Sequence, residues 1–163
     1  MLIFCISYTE RNEALFGNDI SAIHTLRQAH EFAILTKTFH FEAAHHLPGH
    51  RGKCARLHGH SCRLEVTLRG PIKDIPGHSD QGMVMDFSHL SQIVRASIIE
   101  RLDHYDLNEV TGIHTTAENL AHWIWDVLIA AELPEELLYR IRLWETEGSL
   151  VEITREERGD FGP

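Results

Sequence analysis

The two histidines of His58-Gly59-His60, separated by one glycine, have the most direct chemical meaning in this sequence. In an extended chain, residues two apart point to the same side, so both imidazoles can face one point. The glycine between them leaves room for a bound species. His45, at the end of an earlier predicted strand, can converge on the same point. Three neutral imidazoles with an open fourth position are typical of a catalytic zinc site.

Alternatives to this ligand set stay open at the level of sequence. A lone His-x-His pair is more often a polar strand face than a pair of ligands. His46 and His50 compete with His45, because their spacing does not exclude them. Cys54 lies four residues before His58, and a fourth protein ligand would make the site structural instead of catalytic.

Cys54 is also a candidate base or nucleophile. It lies in a loop with Arg51, Lys53 and Arg56, and nearby positive charge favours a thiolate. A small, partly buried structural cysteine is the alternative interpretation.

Asp103 and His104 follow a predicted helix and form a second acid/base pair. Aspartate and histidine at a helix end are usually surface residues that make local hydrogen bonds, which is the alternative role.

Glu145 is a carboxylate at an inward position. It lies two residues after Leu143 on the same face of a predicted strand, where a carboxylate needs a partner. The donor edge of a ligand would supply that partner, and Arg140 or Arg142 is the local alternative.

The elements that must position these residues follow from the hydrophobic periodicity. Alternation predicts strands over 37–45 and 61–69, and a short extended run over 83–85. Helical spacing predicts a helix over 87–102, capped by Asp86 or Ser88, and a second helix that opens at Thr115 with capping-box spacing to Glu118 and ends before Pro134. A hairpin turning at 147–148 follows. The order predicts an α+β fold with a four-stranded antiparallel sheet and two helices.

The sequence predicts one domain, because it has no internal repeat and no Gly/Ser linker. Residues 36–163 form the predicted domain, and residues 1–35 form an N-terminal appendage. A weak helical pattern in this appendage begins after Asp19 and runs through Ile20, Ile23, Ala33 and Ile34.

Composition and charge limit the function classes. The 163 residues carry a formal net charge of −9, which argues against a general nucleic-acid binder. Residues 37–70 carry a net charge of +4 and residues 71–163 carry −11, so the segment 37–70 is suited to binding an anion.

No run approaches the roughly 18 consecutive apolar residues of a membrane helix, and no signal peptide is evident. Three cysteines without a framework-like spacing favour reduced thiols and a cytoplasmic protein.

Six motifs together resemble the 6-pyruvoyltetrahydropterin synthase family in order and approximate spacing over about residues 37–153. They are Phe39-His40-Phe41-Glu42-Ala43-Ala44-His45, Cys54-Ala55-Arg56-Leu57-His58-Gly59-His60, Met85-Asp86-Phe87, Leu102-Asp103-His104, Thr116-Ala117-Glu118-Asn119 and Trp144-Glu145-Thr146. The gap of three residues between the cysteine and His-Gly-His is most similar to the bacterial branch, 6-carboxytetrahydropterin synthase of the queuosine pathway.

The resemblance implies a role for each matching residue. His45, His58 and His60 would hold Zn²⁺, Cys54 would transfer a proton as a thiolate, and Asp103 with His104 would form the other acid/base couple. Glu145 would anchor the pterin ring, and Thr116 would contact it.

The resemblance also implies the fold, the assembly and the reaction. The expected fold is the tunnelling fold (T-fold) with ββααββ order, assembled as a homohexamer of two trimers with sites at subunit interfaces. The expected reaction is a lyase reaction on 7,8-dihydroneopterin triphosphate that yields 6-carboxy-5,6,7,8-tetrahydropterin, acetaldehyde and triphosphate. The expected partner is the small-molecule pterin triphosphate substrate, and no nucleic acid or membrane is expected to bind. The alternatives are a 6-pyruvoyltetrahydropterin synthase, which eliminates triphosphate without cleaving the side chain, and a non-catalytic zinc protein.

Overall fold

The computed structural model describes residues 31–159, and these form one sheet packed against helices. In chain order the elements are β1 (Phe32–His45), β2 (His58–Pro71), α1 (Phe87–Val94, continued by a π-helical turn Arg95–Ile99 and a final α-helical turn Glu100–Leu102), β3 (Tyr105–Asp106), α2 (Leu107–Thr111), α3 (Ala117–Ala130), β4 (Leu138–Thr146) and β5 (Ser149–Thr154). A short 3-10 helix, Lys53–Ala55, lies in the loop between β1 and β2.

The sheet has five strands in the order β3-β1-β2-β4-β5. The four long strands are antiparallel neighbours, which confirms the α+β prediction and the hairpin. The prediction of a purely antiparallel four-stranded sheet was incomplete, because β3 pairs parallel to β1 through Tyr105 and Asp106. A two-residue strand is too short to leave a periodic pattern in the sequence.

Strand β1 begins at Phe32, earlier than predicted. Ala33 and Ile34 pair with Gly70 and Arg69 of β2, so the helical pattern predicted through them is wrong. Cross-strand pairing overrides a weak helical periodicity at these positions. The predicted boundary between residues 35 and 36 therefore falls inside β1. The rest of the appendage lies outside the described residues.

The extended run predicted over 83–85 is not a strand. Val84 and Met85 are buried in the turn that leads into α1. Their burial against the core explains the apolar composition of this run.

One face of the sheet packs on α1 and α3 to form the core. Alternate residues of β2 are buried on this face, as the sequence alternation predicted: Cys62, Leu64, Val66 and Leu68. Within residues 31–159 the other face is largely exposed and carries mostly polar side chains, with the exposed apolar residues Phe32, Ile34 and Leu150 as exceptions. No helix in the same range is long and apolar enough to span a membrane.

The helix N-termini are capped by side chains that accept backbone hydrogen bonds. Asp86 caps α1 and accepts from the Ser88 and His89 N–H groups. Thr116 caps α3 and accepts from the Asn119 N–H, so the capping box predicted one residue earlier is wrong. This shift leaves the neighbouring Thr115 buried against the end of β1.

Candidate metal centre

Three histidines converge at one end of the sheet on its core face. His45 pairs directly with His58 across β1 and β2, and His60 lies one same-face position further along β2. The three ring centroids are 4.7, 4.9 and 5.1 Å apart. One ligand nitrogen from each ring lies within 4.8 Å of the other two. The strand register therefore brings together the three residues that the sequence singled out.

The hydrogen bonds of these rings direct their second nitrogens toward a common point. His45 Nδ1 lies 2.8 Å from the Thr115 carbonyl oxygen, and His58 Nδ1 lies 2.7 Å from the Arg56 carbonyl oxygen. A carbonyl only accepts, so both Nδ1 atoms carry a proton, and in the neutral form of each ring the lone pair is on Nε2.

Two Nε2 atoms of the triad, those of His45 and His60, are buried without a hydrogen-bond partner. Buried polar atoms are nearly always satisfied, so an orphaned pair beside a third imidazole calls for a ligand. Three neutral imidazoles fit a metal ion such as zinc, and the three histidines can bind one.

Burial keeps the His45 imidazole neutral. Only 3% of this residue is exposed, and its pKa lies below the ordinary value chiefly because burial disfavours the charged form. The neighbouring His58 and His60 act in the same direction. The Thr115 carbonyl and the Glu145 carboxylate oppose the shift without reversing it. A neutral imidazole is the form that binds metal.

Glu145 lies beside the triad. Its Oε1 is 3.4 Å from His45 Nε2 and 3.9 Å from His60 Nε2. The pairing of β4 with β5 shifts register between Trp144 and Thr146, so Glu145 is on a bulge. Its side chain is one-third exposed, which leaves the carboxylate accessible to a ligand.

The two arginines weighed as partners for Glu145 contact other carboxylates. Arg140 and Arg142 both pair with Glu152, and Arg142 also reaches Glu65. Within residues 31–159, Glu145 therefore has no arginine partner.

A narrow cavity lies under the triad, between the sheet and α3. Its wall includes Cys62, Leu143 and Glu145. Burial, together with the negative charges of Glu145 and Glu42, raises the pKa of the Cys62 thiol to about 12. Cys62 is therefore a protonated thiol at neutral pH and cannot act as a base there.

The family model described as 6-pyruvoyl tetrahydropterin synthase matches residues 34–156, which contain all three histidines and Glu145. The chain belongs to this family. Similarity to individual members extends over most of the chain.

Curated relatives carry two names. A Synechocystis protein named 6-carboxy-5,6,7,8-tetrahydropterin synthase is 44% identical over 114 residues, which cover 69% of this chain and 86% of the relative. A Haemophilus influenzae protein with the same name is 37% identical and covers 72% and 96%. A Dictyostelium discoideum protein named 6-pyruvoyl tetrahydrobiopterin synthase is 34% identical and covers 72% and 93%.

Solved structures of the family share the fold. The Caenorhabditis elegans 6-pyruvoyl tetrahydropterin synthase superposes with a TM-score of 0.67 at 23% identity, over 76% of this chain and 96% of that chain. The α+β arrangement is thus the family fold.

Cys54 lies in the loop that leaves one ligand strand and returns to the other. Its carbonyl oxygen accepts from the Leu47 N–H at 2.7 Å, which ties the loop to the end of β1 just after His45. The side chain is partly exposed. Within residues 31–159 the cluster of candidate metal ligands comprises the three histidines and does not include Cys54.

The competing histidines are also outside the cluster. His50 Nδ1 accepts from the Gly52 N–H at 2.9 Å. The backbone of His46 is held by Asn108. His45 is therefore the histidine of this segment that joins His58 and His60.

Asp103 and His104 form a contact of their own at the end of α1. His104 Nδ1 lies 3.0 Å from Asp103 Oδ1, which also accepts from the Glu42 N–H at 2.8 Å. The Glu42 N–H, and then the His104 ring, hold the pKa of Asp103 below its usual value, so Asp103 is ionised at neutral pH. His104 has φ +65°, a strained conformation for a non-glycine residue that is common at functional sites.

The structure does not bring this couple to the triad within one chain. His104 lines an open cleft of 350 Å³ with Glu42, Gly59 and Ser61, and the triad residue His60 also borders this cleft. Glu42, Gly59 and Ser61 alternate with the histidines along β1 and β2, so the cleft opens mainly on the opposite face of the sheet. The side chain of His104 is 76% exposed. The missing side chain of Gly59 therefore leaves room on the face that His104 borders, whereas the sequence interpretation placed this room on the face of the two histidines.

Two residues near the triad were missed by the sequence reasoning. Thr115 contacts the His45 ring, whereas the predicted Thr116 caps α3. Asn108 holds the backbone at the end of β1. No periodicity or ligand spacing identifies either residue, because both act through tertiary contacts.

Proposed function

We propose that this chain is a zinc-dependent lyase that converts 7,8-dihydroneopterin triphosphate to 6-carboxy-5,6,7,8-tetrahydropterin, with release of acetaldehyde and triphosphate, in queuosine biosynthesis. The observation that carries the proposal is the triad of convergent imidazoles, two of whose Nε2 atoms are buried and unpaired, in a chain of the pterin synthase family. The relatives named 6-carboxy-5,6,7,8-tetrahydropterin synthase favour this product.

His45, His58 and His60 hold the metal in this proposal. When bound, zinc supplies a Lewis acid that lowers the cost of negative charge on a substrate oxygen. The residues of the chain bind the substrate and move its protons. Cys54 transfers a proton on one side of the side-chain carbons. The exposed Arg51, Lys53 and Arg56 of its loop attract the triphosphate.

His104 serves the other proton transfer. Asp103 accepts from His104 Nδ1 and so leaves Nε2 as the working nitrogen. Because this couple and the triad lie on opposite faces of the sheet, we propose that one subunit supplies the couple to the triad of a neighbour. A homohexamer of two trimers, with the site at the subunit interface, accommodates this arrangement.

Product identity tests the reaction. The purified protein, loaded with zinc, is incubated with 7,8-dihydroneopterin triphosphate, and the pterin product is identified by mass. A product of the mass of 6-carboxytetrahydropterin, together with acetaldehyde, supports the proposal. A three-carbon side chain retained on the ring supports the second candidate, 6-pyruvoyltetrahydropterin synthase, which the similarity to the Dictyostelium discoideum relative favours. Recovery of unchanged substrate contradicts both.

Mixed oligomers test the shared site. Cys54→Ala and His104→Ala should each be inactive alone, because each removes one proton-transfer group. Random mixing of equal amounts through unfolding and refolding should restore about a quarter of the wild-type activity, since about a quarter of interface sites then have both groups intact. The measurement is turnover before and after mixing. Activity that stays at the level of the separate variants would place Cys54 and His104 in one chain and contradict the shared site.

Glu145→Gln tests the pterin anchor. The 2-amino and ring N–H groups of a pterin form a donor edge that a carboxylate accepts in bidentate fashion. Glutamine sets a donor against this edge, so the affinity for a dihydropterin should fall roughly 10- to 100-fold. Titration of the zinc-loaded protein with a dihydropterin gives the affinity, and metal analysis should show unchanged zinc.

Glu147→Gln is the matched control for this change. Glu147 is exposed in the β4–β5 turn, so the control should bind dihydropterin like the wild type. Equal affinities for all three proteins would remove Glu145 from ring recognition. Loss of zinc in Glu145→Gln would instead assign the carboxylate to the metal, in line with its 3.4 Å approach to His45 Nε2.

A further inference from the structure

The backbone at the end of β1 is held by a side chain that imitates a neighbouring strand. Asn108 Oδ1 accepts from the His46 N–H at 2.9 Å, and Asn108 Nδ2 donates to the His46 carbonyl oxygen at 3.0 Å. Strand β3 pairs with β1 only at Ala43 and Ala44. The carboxamide of Asn108 therefore continues this edge of the sheet past His45 with the two hydrogen bonds of a peptide group.

Thr115 holds the side chain of the same ligand. The Nδ1–H of His45 donates to the Thr115 carbonyl at 2.8 Å, and the Thr115 hydroxyl lies 3.2 Å from the same Nδ1. This hydroxyl also donates to the His46 carbonyl at 3.4 Å, so toward the ring it acts as an acceptor. Thr115 is 1% exposed, and water does not compete for these contacts.

These contacts fix His45 from three sides. The β2 strand pairs with its backbone, Asn108 pairs with the following peptide, and Thr115 sets the ring orientation and tautomer. The other two ligands, His58 and His60, lie on β2 and have no such support from the segment between β3 and α3 within the described residues.

We propose that Asn108 and Thr115 are positioning residues that hold the backbone and the imidazole of His45 and thereby set the affinity of the triad for a divalent metal ion. The inference rests on the metal centre of the proposed function. Groups that orient a metal-bound histidine typically change metal affinity about 10- to 100-fold when they are replaced.

The experiment measures the dissociation constants of Zn²⁺ and Co²⁺ by competition with a chelator, so it does not depend on turnover. Asn108→Asp keeps the shape and the acceptor for the His46 N–H but loses the donor to the His46 carbonyl. Its metal affinity should fall about 10- to 100-fold, and the visible spectrum of its Co²⁺ form should change.

The matched control is Asn119→Asp. Asn119 Nδ2 also donates to a backbone carbonyl, that of His114 at 2.8 Å, in the segment that leads into α3, but its side chain makes no hydrogen bond to β1 within residues 31–159. The control should bind both metals like the wild type. The midpoint of thermal unfolding of the metal-free proteins separates a loss of ligand geometry from a loss of fold.

Thr115→Val and Thr115→Ser give an independent test if Asn108→Asp does not fold. Valine removes the hydroxyl at nearly constant shape and should weaken metal binding about 10-fold, whereas serine keeps the hydroxyl and should restore it. Wild-type affinity in both Asn108→Asp and Thr115→Val would overturn the inference and leave the metal centre standing. A wild-type protein that binds neither metal would overturn the metal centre and the inference with it.

Discussion

His58→Ala and His60→Ala are each expected to lose most of the bound metal, from about one zinc per chain in the wild type to a small fraction of that. Two imidazoles remain in each variant, and they leave two coordination positions without protein ligands. Neither side chain belongs to the packed apolar core, so both variants should fold. Metal analysis after dialysis against a weak chelator, with circular dichroism as a check on folding, measures the effect.

His40→Ala is the matched control for the loss of metal. His40 is on β1 like His45, but it is exposed on the opposite face of the sheet. Its replacement should leave the zinc content at the wild-type level. Near-stoichiometric zinc in both His58→Ala and His60→Ala would exclude the triad as the metal site.

Cys54→Ala is expected to fold, keep its zinc and lose turnover by roughly 10²- to 10⁴-fold, the usual contribution of a proton-transfer group. The loop should survive the change, because Cys54 holds Leu47 through its backbone carbonyl and not through its thiol. Zinc should remain because the thiol is outside the ligand cluster. Steady-state turnover and metal content are measured on the same preparation.

Cys54→Ser separates chemistry from shape. The hydroxyl is nearly the same size as the thiol but is far less acidic, so turnover should remain low with full zinc content. Turnover near the wild-type level in Cys54→Ala would remove Cys54 from the mechanism. Zinc lost together with activity would instead support the structural site in which Cys54 is a ligand.

The strands were predictable where the hydrophobic alternation extends over many residues. The alternation of β2 correctly marked Leu64 and Val66 as buried, and the β4–β5 hairpin followed from the same signal. The two-residue β3 and the early part of β1 were missed, because their conformation depends on pairing with distant residues.

The histidine triad was predictable because strand geometry acts locally. The same-face placement of His58 and His60 requires only a period of two. The choice of His45 over His46 or His50 could not be made from spacing, since it depends on the register that pairs His45 with His58. The resemblance to the family also implied His45 as the third ligand.

By itself, the sequence determined which residue types can do the chemistry and which of them share a strand face, because both properties are set within a few residues. The tertiary structure alone decided what lies across the sheet. It placed the Asp103–His104 couple on the face opposite the triad, and it brought Asn108 and Thr115 to His45 across more than 60 positions of chain. Such contacts arise from strand register and helix packing, which join segments that no local pattern connects.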